Sequence, residues 1–127
     1  MEINEIANKL VEYCRTGNFS QCYEELYDHE SIVSQEPAGA MWELATGMKE
    51  LEEKGKKWGE MVQEIHGSSV SDPIIAGNYF TCRMTNDVTF KEYGREKLDE
   101  LCVYEVKNGK IVKEQFFYEV QSGEASA

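Results

Sequence analysis

The stretch ELCVYEVKNGKIVKEQFFYEV, residues 100–120, constrains this chain more than any other part of it. Asn108-Gly109 is a dipeptide suited to a two-residue hairpin loop, whose central positions need positive φ. The runs on either side are rich in Val, Ile, Tyr and Phe, so this end of the chain reads as two antiparallel strands. The register stays open at this level. A two-residue turn pairs Cys102 with Gln115, and a bulged turn pairs it with Glu114. Accordingly, either Glu114, Phe116 and Tyr118 or Gln115, Phe117 and Glu119 share one face.

An isolated hairpin is marginal in water, so further elements must cover it. From Tyr79 to Phe90 the sequence alternates with a period of two. Phe80, Cys82, Met84, Val88 and Phe90 point one way, and Tyr79, Thr81, Arg83, Thr85, Asp87 and Thr89 the other. Residues 61–80 carry β-branched residues punctuated by Gly67, Asp72, Pro73 and Gly77. The stretch KEYGREKLDE, residues 91–100, reads as a polar connection.

The first half is helical. Ile3, Ile6, Ala7, Leu10 and Cys14 recur at helical spacing, and Gly17 ends that segment. Asn18 is placed to cap a second helix whose apolar face is Phe19, Cys22, Tyr23, Leu26 and Tyr27. The chain then runs extended through SIVSQ, and Pro37 biases Glu36 away from helical backbone. A third helix is predicted from about Thr46 to Met61, with Met48, Leu51, Gly55, Trp58 and Val62 on one stripe. Gly55 on that stripe implies a close approach to another element, or a kink.

Helix, helix, strand, helix, then several strands is an α+β order, with the helices gathered on one face of a curved, mostly antiparallel sheet. Residues 1–121 are expected to form one domain and residues 122–127 a flexible tail. The final hairpin is apolar on both faces, and helices cover only one. The second face therefore predicts a homodimer.

Composition excludes several partners. The 127 residues include 24 acidic and 13 basic side chains, a formal net charge of −11 that repels phosphate backbones and anionic membranes. No apolar run reaches the roughly 20 residues a membrane span needs, and the acidic, amphipathic N-terminus does not read as a leader. Cys14, Cys22, Cys82 and Cys102 are widely separated, and neither they nor His29 and His66 have metal-ligand spacing. Reduced thiols, a cytoplasmic location and no metal are the expectation.

The pieces CRTGNFSQCYEELY, ATGMKELEEKGKKW and YEVKNGKIVKEQFF, in this order and spacing, resemble the SnoaL-like branch of the nuclear-transport-factor-2-like superfamily. The resemblance spans nearly the whole chain. It implies a cone-shaped, cystatin-like fold of three helices on the curved sheet, with a pocket between sheet and helices. That fold hosts isomerases, cyclases, dehydratases, hydrolases and binding modules, so it does not fix an activity. Ketosteroid isomerases of the superfamily carry an Asp-Pro pair after the first strand, and Glu36-Pro37 matches it. A carboxyl beside an apolar cavity is a stronger base, suited to moving a proton next to a carbonyl. The oxyanion donors of those isomerases correspond to Leu10 and Cys102, which argues against steroid isomerisation by their mechanism. The last-strand aspartate of SnoaL-type cyclases corresponds to Phe116, with Glu114 two residues earlier.

Glu36 is therefore the candidate general acid/base or, equally, a solvated strand end. Trp58, His66, Cys102, Glu114, Phe116 and Tyr118 are the candidate ligand-binding residues. Trp58 and Tyr118 carry a polar handle on a large ring. Cys102 is a core thiol or a nucleophile with His66 as base. Trp42 closes the cavity mouth or packs at a dimer interface. The expected function is cofactor-independent binding of a small hydrophobic or carbonyl-bearing molecule. The alternative is an isomerase, cyclase or dehydratase using Glu36.

Overall fold

The computed structural model describes residues 1–120. The predicted tail, residues 122–127, lies outside the described residues. Helix α1 spans Ile3–Thr16 and α2 spans Phe19–Leu26. Gly17 takes φ 74° between them, and the N–H groups of Gly17 and Asn18 close the last carbonyls of α1. Asn18 holds the N-cap position of α2, but its side chain donates to Thr16 Oγ1 instead of capping. Strand β1, Val33–Gln35, is followed by a short strand β2, Leu44–Thr46, that the sequence reading did not separate from the loop. Helix α3 then runs Gly47–Met61. Its start is braced by Glu50, whose carboxylate accepts the Thr46 backbone N–H.

Five strands complete the order: β3 Val62–Val70, β4 Ile74–Ala76, β5 Tyr79–Phe90, β6 Gly94–Lys107 and, across the hairpin, β7 Lys110–Phe117. The main path of the sheet is β2-β1-β7-β6-β5-β3, with β4 also paired to β5. The β1/β7 pair is parallel and the other pairs are antiparallel. The predicted alternation of β5 holds: Phe80, Cys82, Val88 and Phe90 are buried. Most of the expected polar connection is instead strand. Residues 94–100 extend β6 and pair with β5 as far as Gly94 opposite Phe90. Cross-strand Arg95–Asp87 and Arg83–Asp99 pairs decorate the exposed side of that ladder, which is why it reads as polar.

All three helices pack on the same sheet face. Ile6, Ala7, Leu10 and Val11 of α1, Cys22 and Leu26 of α2, and Met48 and Leu51 of α3 share one cluster with Phe80, Cys82, Cys102, Tyr104 and Ile111. Their closure from water supplies the main drive to fold, at about 25 cal/mol per Å² of apolar surface. Gly55 does not mark a close approach, because a Cβ there would meet nothing within 4 Å.

The hairpin corrects both registers read from sequence. The turn is the two-residue kind, with Asn108 at φ 52° and Gly109 at φ 75° and Lys107 opposite Lys110. A bulge then follows: Val106 pairs with Ile111, but Glu105 pairs with Lys113, leaving Val112 as an extra residue in β7. Cys102 consequently faces Phe116, not Gln115 or Glu114. One inserted residue inverts every side chain beyond it, and this turns Glu114 and Phe116 inward.

Candidate functional site

An open cavity of about 1910 Å³ lies between the helices and the inner sheet face. Its apolar wall includes Trp58 from α3, Met84 and Phe90 from β5, and Phe116 from β7. Trp58 stands edge-on to Phe90 with ring centroids 6.2 Å apart, a favourable arrangement of ring quadrupoles.

A chain of polar groups runs from the cavity into the core. Glu36, just past β1, accepts Lys54 Nζ at 2.9 Å and Tyr118 Oη–H at 2.7 Å, one on each carboxylate oxygen. The Lys54 and Glu36 side chains are only 16% and 15% exposed, so this is a largely desolvated ion pair. Lys54 also donates to Ser34 Oγ at 2.6 Å, and Ser34 donates onward to Glu114 Oε2 at 2.6 Å. Tyr27 donates its hydroxyl to the other oxygen of Glu114. Glu114 is 3% exposed. Burial pushes its pKa up, while the Ser34 and Tyr27 hydrogen bonds resist that rise. Lys54 Nζ sits 5.3 Å from the Phe116 ring centroid, which joins the polar chain to the apolar wall.

Glu100, on β6, is a second carboxyl at the cavity. Among the described residues its side chain has one hydrogen-bond partner, the thiol of Cys102, at 3.6 Å. Burial, then repulsion from Glu36, raises its pKa from 4.5 to about 7. Glu36 and Glu100 thus meet the cavity in different surroundings. Glu36 is matched by a cation and a hydroxyl, and Glu100 has neither.

Of the residues singled out from sequence, Glu36, Trp58, Glu114, Phe116 and Tyr118 line this cavity. Cys102 does not. It is fully buried in the core opposite Cys82, and the hydrogen bond with the Cys82 thiol, then burial, raises its pKa, which opposes formation of a nucleophilic thiolate. His66 is also elsewhere. It is the extra residue of a β-bulge between Ile65 and Gly67, it does not line the cavity, and its Nε2 meets Thr89 Oγ1 at 2.7 Å. Trp42 lines the cavity, its indole N–H donating to Leu44 O at 2.9 Å and Lys57 lying over its ring.

Lys54, Glu100, Ser34 and Tyr27 were not singled out from sequence as site residues. Lys54 had a readable signal. It lies three residues after Leu51 and four before Trp58, on the border of the apolar stripe, where a charged residue needs a partner. Glu100 follows from running the alternation of Tyr104 and Cys102 two residues back. Ser34 and Tyr27 gave no local signal, since their role depends on the parallel β1/β7 pairing that sets Ser34 opposite Glu114.

A SnoaL-like domain family model matches residues 1–118. No curated protein matches the chain significantly. Among solved structures, a Mesorhizobium loti protein described as a SnoaL-like polyketide cyclase is 36% identical, covering 93% of this chain and 100% of its own, with a TM-score of 0.86. An NTF2-like protein of Burkholderia thailandensis matches at TM-score 0.80 and 16% identity, covering 94% and 92% of the two chains. TerC, co-crystallised with polyporic acid, matches at TM-score 0.73 and 13% identity, covering 99% and 100%, a likeness of fold. The family match over most of the chain and the 36% identity agree: this chain belongs to the SnoaL-like family, on the NTF2-like, cystatin-like fold.

Proposed function

We propose that this SnoaL-like chain binds a small, largely apolar molecule that carries a carbonyl group, without a cofactor. The observation that carries the reading is the junction of Lys54 with Phe116 and Trp58. An apolar wall ends at an ammonium with two of its three N–H donors engaged, by Ser34 and Glu36. An apolar site with a few convergent polar groups is the usual form of a small-molecule site. TerC's co-crystallisation with polyporic acid lends fold-level support.

A second reading is favoured by the contrast between the cavity carboxyls Glu36 and Glu100. On that reading the chain is an isomerase, cyclase or dehydratase, and proton transfer follows binding. Glu36 is its acid/base by family position, although both its oxygens are engaged. A thermal-shift screen of apolar ketones against the wild type and Glu36→Gln tests the pair of readings. Binding by both without turnover by either supports the binding protein. Turnover lost in Glu36→Gln supports the enzyme, and no stabilisation by any ketone contradicts both.

The homodimer belongs to the same proposal. Leu101 and Phe117 are direct cross-strand partners on the outer sheet face and remain 53% and 48% exposed. A second copy would cover them. The four cysteines are free, which suits a reducing, cytoplasmic setting. Among the described residues, no helix is long and apolar enough to cross a membrane.

A further inference from the structure

We propose that Glu100, rather than Glu36, is the proton-transferring group of the cavity, and that its substrate is a neutral ketone with an acidic α C–H. This rests on the enzyme reading above and names the residue and substrate class for it.

Three observations carry it. The first is engagement. Glu36 is held by a donor on each oxygen, Lys54 on one and Tyr118 on the other, so its remaining lone pairs are less free to turn to a substrate. Glu100 lines the same cavity, and its one hydrogen-bond partner among the described residues is a weak S–H donor. The second is complementarity. Lys54 acts on Glu100 electrostatically and retains a third N–H. It can hold a carbonyl oxygen while Glu100 approaches the neighbouring carbon. The third is charge. Glu36, Glu100 and Glu114 face one lysine, and that lysine is already paired, so an anionic ligand is repelled and a neutral one is not. Titration near neutrality lets Glu100 accept and return a proton at the same pH. The charged groups acting on it are Glu36 from the loop after β1, Glu114 from β7 and Lys54 from α3.

The step balances without an oxidant or reductant. The Glu100 carboxylate takes the α-proton, so a C–H bond breaks and an O–H bond forms. The released pair becomes a C=C bond, and the carbonyl π pair moves to oxygen, giving an enolate that accepts the Lys54 N–H. Glu100 then returns the proton to the same or a conjugated carbon. Glu100 and Lys54 touch the reacting atoms, whereas Glu36 is a positioning residue that fixes Lys54.

The test uses 2-tetralone, a neutral bicyclic ketone with activated benzylic protons. Deuterium uptake in D₂O is followed by NMR, and binding is measured in parallel by protein chemical shifts. The wild type should bind and speed exchange, with a rate rising to a plateau above about pH 7. Glu100→Gln should bind comparably and lose at least about 100-fold in exchange rate. Circular dichroism on each variant confirms folding, and Glu100→Asp should recover part of the rate. Exchange that survives Glu100→Gln and vanishes in Glu36→Gln overturns the assignment but leaves an enzyme. Binding without exchange in the wild type overturns proton transfer and leaves a binding protein. No binding overturns the ligand class and with it both readings.

Discussion

Glu100→Gln should make the protein more stable, and only above a definite pH. In the folded chain burial and Glu36 raise the Glu100 pKa from 4.5 to about 7. Folding therefore takes up a proton between about pH 4.5 and 7. The contribution of this group is favourable below pH 4.5 and is lost as pH rises through about 7. Each tenfold change in proton affinity corresponds to about 1.4 kcal/mol, so ionised Glu100 costs the fold about 3 kcal/mol at pH 8. Glutamine has the shape of the protonated acid and never ionises. The variant should thus exceed the wild type by less than about 1 kcal/mol at pH 5 and by about 3 kcal/mol at pH 8. Urea denaturation at pH 5, 6, 7 and 8 reads this directly, with the slope checked for constancy. A pH-independent difference, or a variant less stable at pH 8, refutes the reasoning. Either result means that Glu100 is comfortably hydrated and not an uncompensated acid.

The polar chain makes its own predictions. Tyr27→Phe leaves one buried oxygen of Glu114 without its donor and should cost about 1–3 kcal/mol in urea denaturation. Lys54→Met strands Glu36 beside the apolar wall. It should destabilise by about 3 kcal/mol at neutral pH in urea denaturation. Gly109→Val places a β-branched residue at φ 75° in the hairpin turn and should lower stability by about 1–3 kcal/mol. Leu101→Arg together with Phe117→Arg should turn a dimer into a monomer in analytical ultracentrifugation with the fold retained, since both side chains lie on the uncovered sheet face.

The legible parts of this fold are those governed by local periodicity. The amphipathic helices, the alternation of β5 and the Asn108-Gly109 turn all follow from patterns within a dozen residues. The N-terminal half of β6 escaped because its outward ion pairs imitate a loop. The bulge at Val112 escaped because neither strand alone records an inserted residue, and the pairing settles it. That one residue decides whether Glu114 meets the core or water. The site was half legible for the same reason. Glu36 and Tyr118, named from the family pattern and the aromatic pattern, both line the cavity. Lys54 and Glu100 acquire meaning only once α3, β1 and β6 are brought together.

The proposed meeting place of this protein with a small neutral carbonyl compound is the inner cavity, at its Lys54–Phe116–Glu100 end. Its most direct measurement is a titration of the isotopically labelled protein with 2-tetralone, followed by amide and indole shifts. Saturable changes are expected at Lys54, Gly55, the Trp58 indole, Met84 and Glu100, with Leu101, Val103 and Phe117 on the outer face unmoved. Saturable changes confined to Leu101, Val103 and Phe117, or none at all, would contradict it.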